Sequence, residues 1–268
     1  MSAALIKHAA LRISASGEPE QLSESLAEES AIALLFNGVP FAVMMATPTD
    51  LHDYAVGFAL SEQIIGAADE LELIDVIERE SGLALHLGIP SGRFERLQRH
   101  RRLIGASGCG LCGAETLAQA IRTPQRLESA ERLDRSDLNR SMGQLAEQQP
   151  LNRQCGSLHA AAVLTESGLV IREDVGRHNA VDKVIGALAR NSQDARAVLV
   201  TSRASYELVH KVATAQIPIL AAVSAPTAHA VRLAAECGLT LVAYAREGRM
   251  TIYSEAQRIA MADQTLTQ

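Results

Sequence analysis

ARAVLVTSRASYELVHKVATAQIPILAAVSAPTAHAVRLAAECGLTLVAYAREG, residues 195–248, is the stretch whose reading decides the fold. Short, almost wholly apolar runs (AVLV, ILAA, LTLVA) alternate with segments of helical period. Strands apolar on both faces, each followed by a helix, read as parallel strands with helices packed on them. Gly238 stands where a C-cap ends the last of these helices. Working outward, SLHAAAVLTESGLVIRED (157–174) reads as two strands turning at Ser167-Gly168. VGRHNAVDKVIGALARN (175–191) reads as a helix and RMTIYS (249–254) as a short last strand. The fold class is α/β.

Upstream the pattern is mixed. LAEESAIALLFNGVPFAVMMATPTD (26–50) reads as two strands with a hairpin signal at Asn37-Gly38. A helix follows, with Thr49 or Asp50 as its cap and Leu51, Tyr54, Val56, Phe58 and Leu60 turned inward. ELIDVIERESGLALHLGIP (72–90) reads as a second hairpin, turning at Ser81-Gly82. Residues 1–27 lack a clear period and read as a loose arm or an edge strand. Three units are expected: an α+β domain over 1–105, a mobile loop and connector over 106–150, and an α/β domain over 151–268.

The chain has 268 residues, 47% of them hydrophobic, enough for a core in one or two domains. Aromatics make up 3% and Trp is absent, so small aliphatics fill that core and let helices sit close on a sheet. A net charge of −6 gives no basic footprint, and nucleic acid is not expected as a partner. No apolar run reaches membrane-spanning length, and MSAALIKHAALRIS lacks the apolar core of a leader. The expected location is the cytoplasm. Cys109, Cys112, Cys155 and Cys237 are then reduced thiols, not a disulfide framework.

Three consecutive strands end in polar sequence: Thr201-Ser202-Arg203, Ser224-Ala225-Pro226-Thr227 and Arg246-Glu247-Gly248-Arg249. If the strands are parallel, these ends share one edge, where α/β sheets bind ligands. Two of the loops open helices, whose first N–H groups favour an anion. Ser205 and Thr227 suit the caps, and Arg203, Arg246 and Arg249 suit a phosphate. The competing reading is plain capping with solvated arginines. No Walker A string is present, and none of the three strand-end loops carries a G-x-G-x-x-G. In REDVGRHNAVDKV (172–184), Asp174 suits a cap, and His178 with Asp182 and Asn179 with Lys183 are spaced to share helix faces. His159 reads equally as a core or a functional histidine.

GCGLCG (108–113) permits three chemistries. A closed zinc site needs four ligands, and Cys155 with His159 is a distant second pair. A zinc deaminase is disfavoured, because no H-x-E precedes the cysteines. A redox couple wants a thioredoxin-like order that the flanking chain lacks. A sulfur carrier wants a mobile thiol, which the flanking glycines suit. Redox couple and sulfur carrier are not separated by this stretch alone.

SGCGLCG (107–113), REDVGRHNAVDKVIGAL (172–188), TSRASYELVHKVA (201–213) and AAVSAPTAHAVRLA (221–234) together resemble the FdhD family of formate dehydrogenase accessory sulfurtransferases. The resemblance implies a sulfur carrier with a persulfide on Cys109 and Cys112 as its partner. Sulfur comes from a cysteine desulfurase and passes to the bis-molybdopterin guanine dinucleotide form of the molybdenum cofactor, destined for formate dehydrogenase. The family's cofactor-binding stretch falls on Tyr244, Ala245, Arg246, Glu247, Gly248 and Arg249. Ser202, Arg203, Ser224, Thr227 and His178 join it on the strand-end reading, and a guanine nucleotide is a natural stand-in ligand. The resemblance also implies a three-layer C-terminal domain like the cytidine-deaminase fold and a homodimer; with the second ligand pair so distant, no metal site is expected. Where many members read Thr-Gly-Gly, this chain has Cys155-Gly156-Ser157. Cys155 is read as a small packing residue. The alternative function is a non-catalytic cofactor chaperone whose cysteine pair holds zinc or a disulfide.

Overall fold

Asn37 and Gly38 carry φ of 48° and 78°, the paired left-handed residues of a tight hairpin turn. They join two strands of an N-terminal sheet, in a computed structural model that describes residues 3–103, 123–192 and 194–261, with 100–103 described by backbone alone. β1 (Leu5–Ile13) and β2 (Pro19–Ala27) come first and form an antiparallel ribbon, so residues 5–27 form a hairpin where a loose arm or an edge strand was expected. Next come β3 (Ser30–Phe36), β4 (Val39–Ala46), α1 (Leu51–Ser61), β5 (Glu72–Arg79), β6 (Gly82–Gly88) and α2 (Ser91–Leu103). Four of these strands make a sheet in the order β4-β3-β6-β5. Alternation is strict in β3: Ile32, Leu34 and Phe36 are buried while the residues between them are half-exposed. Together with Leu83, Leu85 and Leu87 they pack on Tyr54, Val56 and Phe58 of α1.

The second half contains β7 (Leu133–Asp134), α3 (Arg135–Glu147), α4 (Asn152–Cys155), β8 (His159–Thr165) and β9 (Gly168–Asp174). It continues with α5 (Arg177–Arg190), β10 (Ala197–Val200), α6 (Tyr206–Thr214), β11 (Ile219–Ala222) and α7 (Ala228–Cys237). β12 (Thr240–Arg246), β13 (Arg249–Ile252) and β14 (Ile259–Ala260) close it. A six-stranded sheet runs β13-β12-β11-β10-β8-β9. β10, β11 and β12 are parallel, as their apolar runs required, and β8, β9 and β13 join antiparallel. One face packs on α5, α6 and α7 through Val198, Val200, Leu220 and Leu241. The other packs on α3 through Leu199, Ile219, Val242 and Ala162. The three layers of the α/β unit are therefore present.

The outer layer comes from the stretch expected as connector. Leu138, Met142 and Leu145 recur at helical spacing and are all buried under the sheet. β7 also pairs with β14, tying residues 133–134 to residues 259–260.

The two halves join through α1 and α5. Asp53 of α1 takes Arg172 at 2.7 Å and Arg190 at 2.5 Å. Lys183 and Asp174, both fully buried, pair at 2.7 Å, and Asp174 also accepts the N–H of Thr47 at 3.1 Å. Lys183 donates further to the Thr47 carbonyl at 3.0 Å. Asp182 accepts the Ser61 hydroxyl at 2.7 Å and pairs with Lys211 at 3.0 Å. Burial alone would lower the Lys211 pKa, but the carboxylates of Asp182 and Glu62 outweigh it and hold the amine above its ordinary value. Several local expectations change here. Asp50 does not cap α1; it has φ 52° and faces Arg172 at 3.3 Å. Asp174 precedes the α5 cap position, which Gly176 fills, and accepts the Gly176 N–H at 2.8 Å. Asn179 and Lys183 do share a face, and both reach Asp174. His178 and Asp182 do not pair, because Lys211 and Ser61 claim Asp182 from neighbouring helices. No described helix is long and apolar enough to cross a membrane.

Candidate functional site

The parallel register brings the carboxyl ends of β10, β11 and β12 to one edge. β9 runs the same way, since it is antiparallel to β8, which is antiparallel to β10. α5, α6 and α7 all begin at this edge, so their first N–H groups face outward there.

Backbone bonds stitch the three expected loops together. The Ser224 N–H donates to Ser202 at 3.4 Å, Ala204 to Ala225 at 3.2 Å, Thr227 to Ala204 at 3.0 Å and Tyr244 to Ser224 at 3.2 Å. Ala204 and Pro226 form an isolated parallel bridge. Thr227 caps α7, its hydroxyl accepting the Ala230 N–H at 3.2 Å. Ser224 and Arg203 are exposed; Ser202 is buried, its hydroxyl turned to the Arg203 carbonyl. Tyr244 has φ 51° and lies in the bulge where β12 shifts register, with its ring exposed. Arg246, Glu247, Gly248 and Arg249 are exposed, and Glu247 and Gly248 carry φ 54° and 76° at the β12–β13 turn. Ala245 points the other way, into the core under α3. Only its backbone is available to a ligand.

A polar cluster lies at the same edge, between the starts of α5 and α6. His178 Nε2 is 3.4 Å from Glu207 Oε2 and 3.5 Å from the Ser205 hydroxyl. Ser205 holds the cap position of α6 but does not cap it; its hydroxyl donates to Glu207 Oε2 at 3.0 Å. The hydrogen bond from His178 is the largest influence on Glu207, and it holds the carboxyl at a pKa of about 2. His159 faces Asp174 across the β8–β9 pair. Burial first, then the charges of Arg177 and His178, lower its pKa. Sequence reading missed Glu207. The signal was slight: a carboxylate two residues after a serine, which the capping reading absorbed.

Cys109 and Cys112 lie outside the described residues. Cys155 is half-buried at the end of α4, and its thiol donates to the Leu151 carbonyl at 3.4 Å. Cys237 is buried, and burial pushes its thiol above the ordinary range. Among the described residues no cluster of three metal-ligating side chains occurs. A groove of about 840 Å³, lined by Leu60, Ile64, Arg93, Leu97, Leu188 and Ala215, lies toward the opposite ends of α5 and α6. It shares no lining residue with the strand-end edge.

The sequence model of the FdhD/NarQ family matches residues 27–260. The chain belongs to the FdhD/NarQ family. A relative from Xanthomonas campestris pv. campestris (strain B100), named sulfur carrier protein FdhD, is 48% identical over 248 residues, covering 91% of this chain and 88% of its own. A relative of the same name from Cupriavidus necator is 47% identical, covering 91% and 86%. A crystal structure from Desulfotalea psychrophila, described as that of a formate dehydrogenase accessory protein, superimposes with a TM-score of 0.72. It covers 96% of this chain and all of its own at 24% identity, which speaks for the fold. The family match spans both sheets, α3 and the whole strand-end edge.

Proposed function

We propose that this protein is a sulfur carrier that serves formate dehydrogenase. Cys109 accepts sulfur as a persulfide from a cysteine desulfurase and delivers it to the molybdenum of the bis-molybdopterin guanine dinucleotide cofactor, which is the substrate held at the strand-end edge. The observation that supports this best is the 48% identity to a protein named sulfur carrier protein FdhD across 91% of the chain. In the loading step the Cys109 thiolate attacks the terminal sulfur of the donor persulfide. One S–S bond forms, another breaks, and the electron pair leaves with the donor thiolate. In this reading Cys112, three residues on in the sequence, holds or releases the transferred sulfur. Arg203, Arg246 and Arg249 are exposed around three helix starts, which suits the cofactor's phosphates. Two copies associate in this reading.

The test is activation. A desulfurase, the cofactor, formate dehydrogenase and this protein are combined, and formate oxidation is followed. Cys109→Ala is expected to remove activation while leaving the thermal melt unchanged. Full activation by that variant overturns the assignment. Stoichiometric zinc that is lost in Cys112→Ala would instead mark a structural cysteine pair.

A further inference from the structure

The groove between α2 and the far ends of α5 and α6 takes no part in the strand-end edge, and its composition is that of a docking surface. Leu60, Ile64, Leu97, Ile185 and Leu188 make an apolar floor drawn from both halves of the chain. The exposed Gln63 and Gln216 also line it. An apolar floor with polar groups around it is how protein interfaces are built. One wall is charged. Arg93, Arg96 and Arg99 recur every third residue along α2, and all three line the groove. Arg93 is already engaged, its guanidinium donating to both oxygens of Glu70 at 2.6 and 2.8 Å. Arg96 acts on Glu70 only from a distance. Arg96 and Arg99 are exposed, and neither pairs with a carboxylate among the described residues. The groove's own carboxylate, Glu62, meets Lys211 at 3.1 Å, and Glu95 of α2 does not line it. Two uncompensated positive charges therefore stand beside an apolar floor. Charges this exposed hold a free anion poorly, because water screens them, but they steer and orient a protein surface. α2 also leads into the stretch that bears Cys109, six residues after Leu103 in the sequence.

We propose that this groove docks the sulfur-donating protein through an acidic segment with apolar anchors. The anchors lie on the floor, and the carboxylates face Arg96 and Arg99. The donor then approaches from the α2 side and the cofactor from the strand-end edge, at opposite ends of α5 and α6. The two share no lining residue, so one does not displace the other from its surface. This inference rests on the sulfur-carrier reading above.

The probe is the cysteine desulfurase that supports activation in the assay above. Its affinity for the full chain is measured by biolayer interferometry at low and high salt. The variants are Arg96→Glu with Arg99→Glu, and Arg246→Glu with Arg249→Glu as a control at the strand-end edge, each with a thermal melt. All four arginines are exposed, so the fold should stand. Reversal of the α2 pair is expected to weaken binding roughly tenfold or more and to remove most of its salt dependence. The strand-end pair is expected to bind the desulfurase as wild type does. A benzoylphenylalanine photocrosslinker at the half-buried Ala215, across the groove, is expected to capture a desulfurase peptide carrying both carboxylates and apolar residues. Unchanged affinity in the α2 variant, equal loss in both variants, or capture of a basic peptide overturns the inference and leaves the sulfur-carrier reading standing. Loss of self-association or of dehydrogenase binding, with desulfurase affinity intact, gives the groove another occupant and overturns it too. If no desulfurase supports activation, the donor reading fails and the inference falls with it.

Discussion

Gly57 of α1 and Gly186 of α5 meet backbone against backbone, so that a Cβ built on either would come within 2.8 Å of the other's amide nitrogen. The same Cβ on Gly57 would lie 1.7 Å from the Asp182 carbonyl oxygen, and that on Gly186 1.8 Å from the Asp53 carbonyl oxygen. The two helices therefore cross at the closest approach that side chains allow. That crossing brings Asp53 within reach of Arg172 and Arg190, and Ser61 within reach of Asp182. The sheet that carries the strand-end edge is braced on the N-terminal sheet through this contact.

Gly57→Ala is expected to force the helices apart. Inserting a methyl into packed side chains costs about 1–3 kcal/mol, and here it meets a carbonyl group, so the loss lies at the top of that range or beyond. Thermal and urea unfolding measure it. Ala at Gly143, which has open space around it, is the control and should change little.

Lys183 and Asp174 are both fully buried, and each is the other's charge partner at 2.7 Å. Lys183→Met strands a carboxylate that also holds Thr47, Gly176 and Asn179. Breaking a buried pair from one side costs about 3–5 kcal/mol. The urea midpoint should fall accordingly. The double change Lys183→Met with Asp174→Asn should cost less than the two single changes added together, because the residues share one network.

Glu207 gives a pH signature. Its folded pKa is depressed from 4.5 to about 2, so its contribution to stability is present above about 4.5 and is lost as pH falls through about 2. The melting temperature of Glu207→Gln should lie below wild type at neutral pH and converge with it toward pH 2. A gap that persists at pH 2 would show that the variant acts through packing. The side chain is 42% exposed, so solvent screening keeps the gap modest.

Much of this architecture was legible in the chain because the signals were local. AVLV, ILAA and LTLVA are apolar on both faces, and only a parallel, covered sheet accommodates that. Asn37-Gly38 and Gly238 need left-handed backbone and took it. Parallel pairing then carried Ser202, Ser224 and Tyr244 to one edge without further information. What stayed hidden was non-local. Nothing near Asp182 announces Lys211, 29 residues away, so spacing gave it to His178 instead. Ser205 looked like a cap, and its hydroxyl turned to Glu207 once α5 and α6 met. The charged stretch 122–150 looked like connector because its buried stripe of Leu138, Met142 and Leu145 is narrow among polar residues. The cysteine pair lies outside the described residues and stands on its motif and on the family resemblance of the longer strings.

The central claim is that Cys109 carries sulfur, and mass spectrometry of the intact thiols tests it most directly. The purified protein is incubated with a cysteine desulfurase and cysteine, trapped with an alkylating agent, and digested. The account predicts one added sulfur atom on the peptide bearing Cys109, absent in Cys109→Ala and absent without desulfurase. An unmodified Cys109 peptide, with the added sulfur found on Cys155 or Cys237 or nowhere, would contradict it.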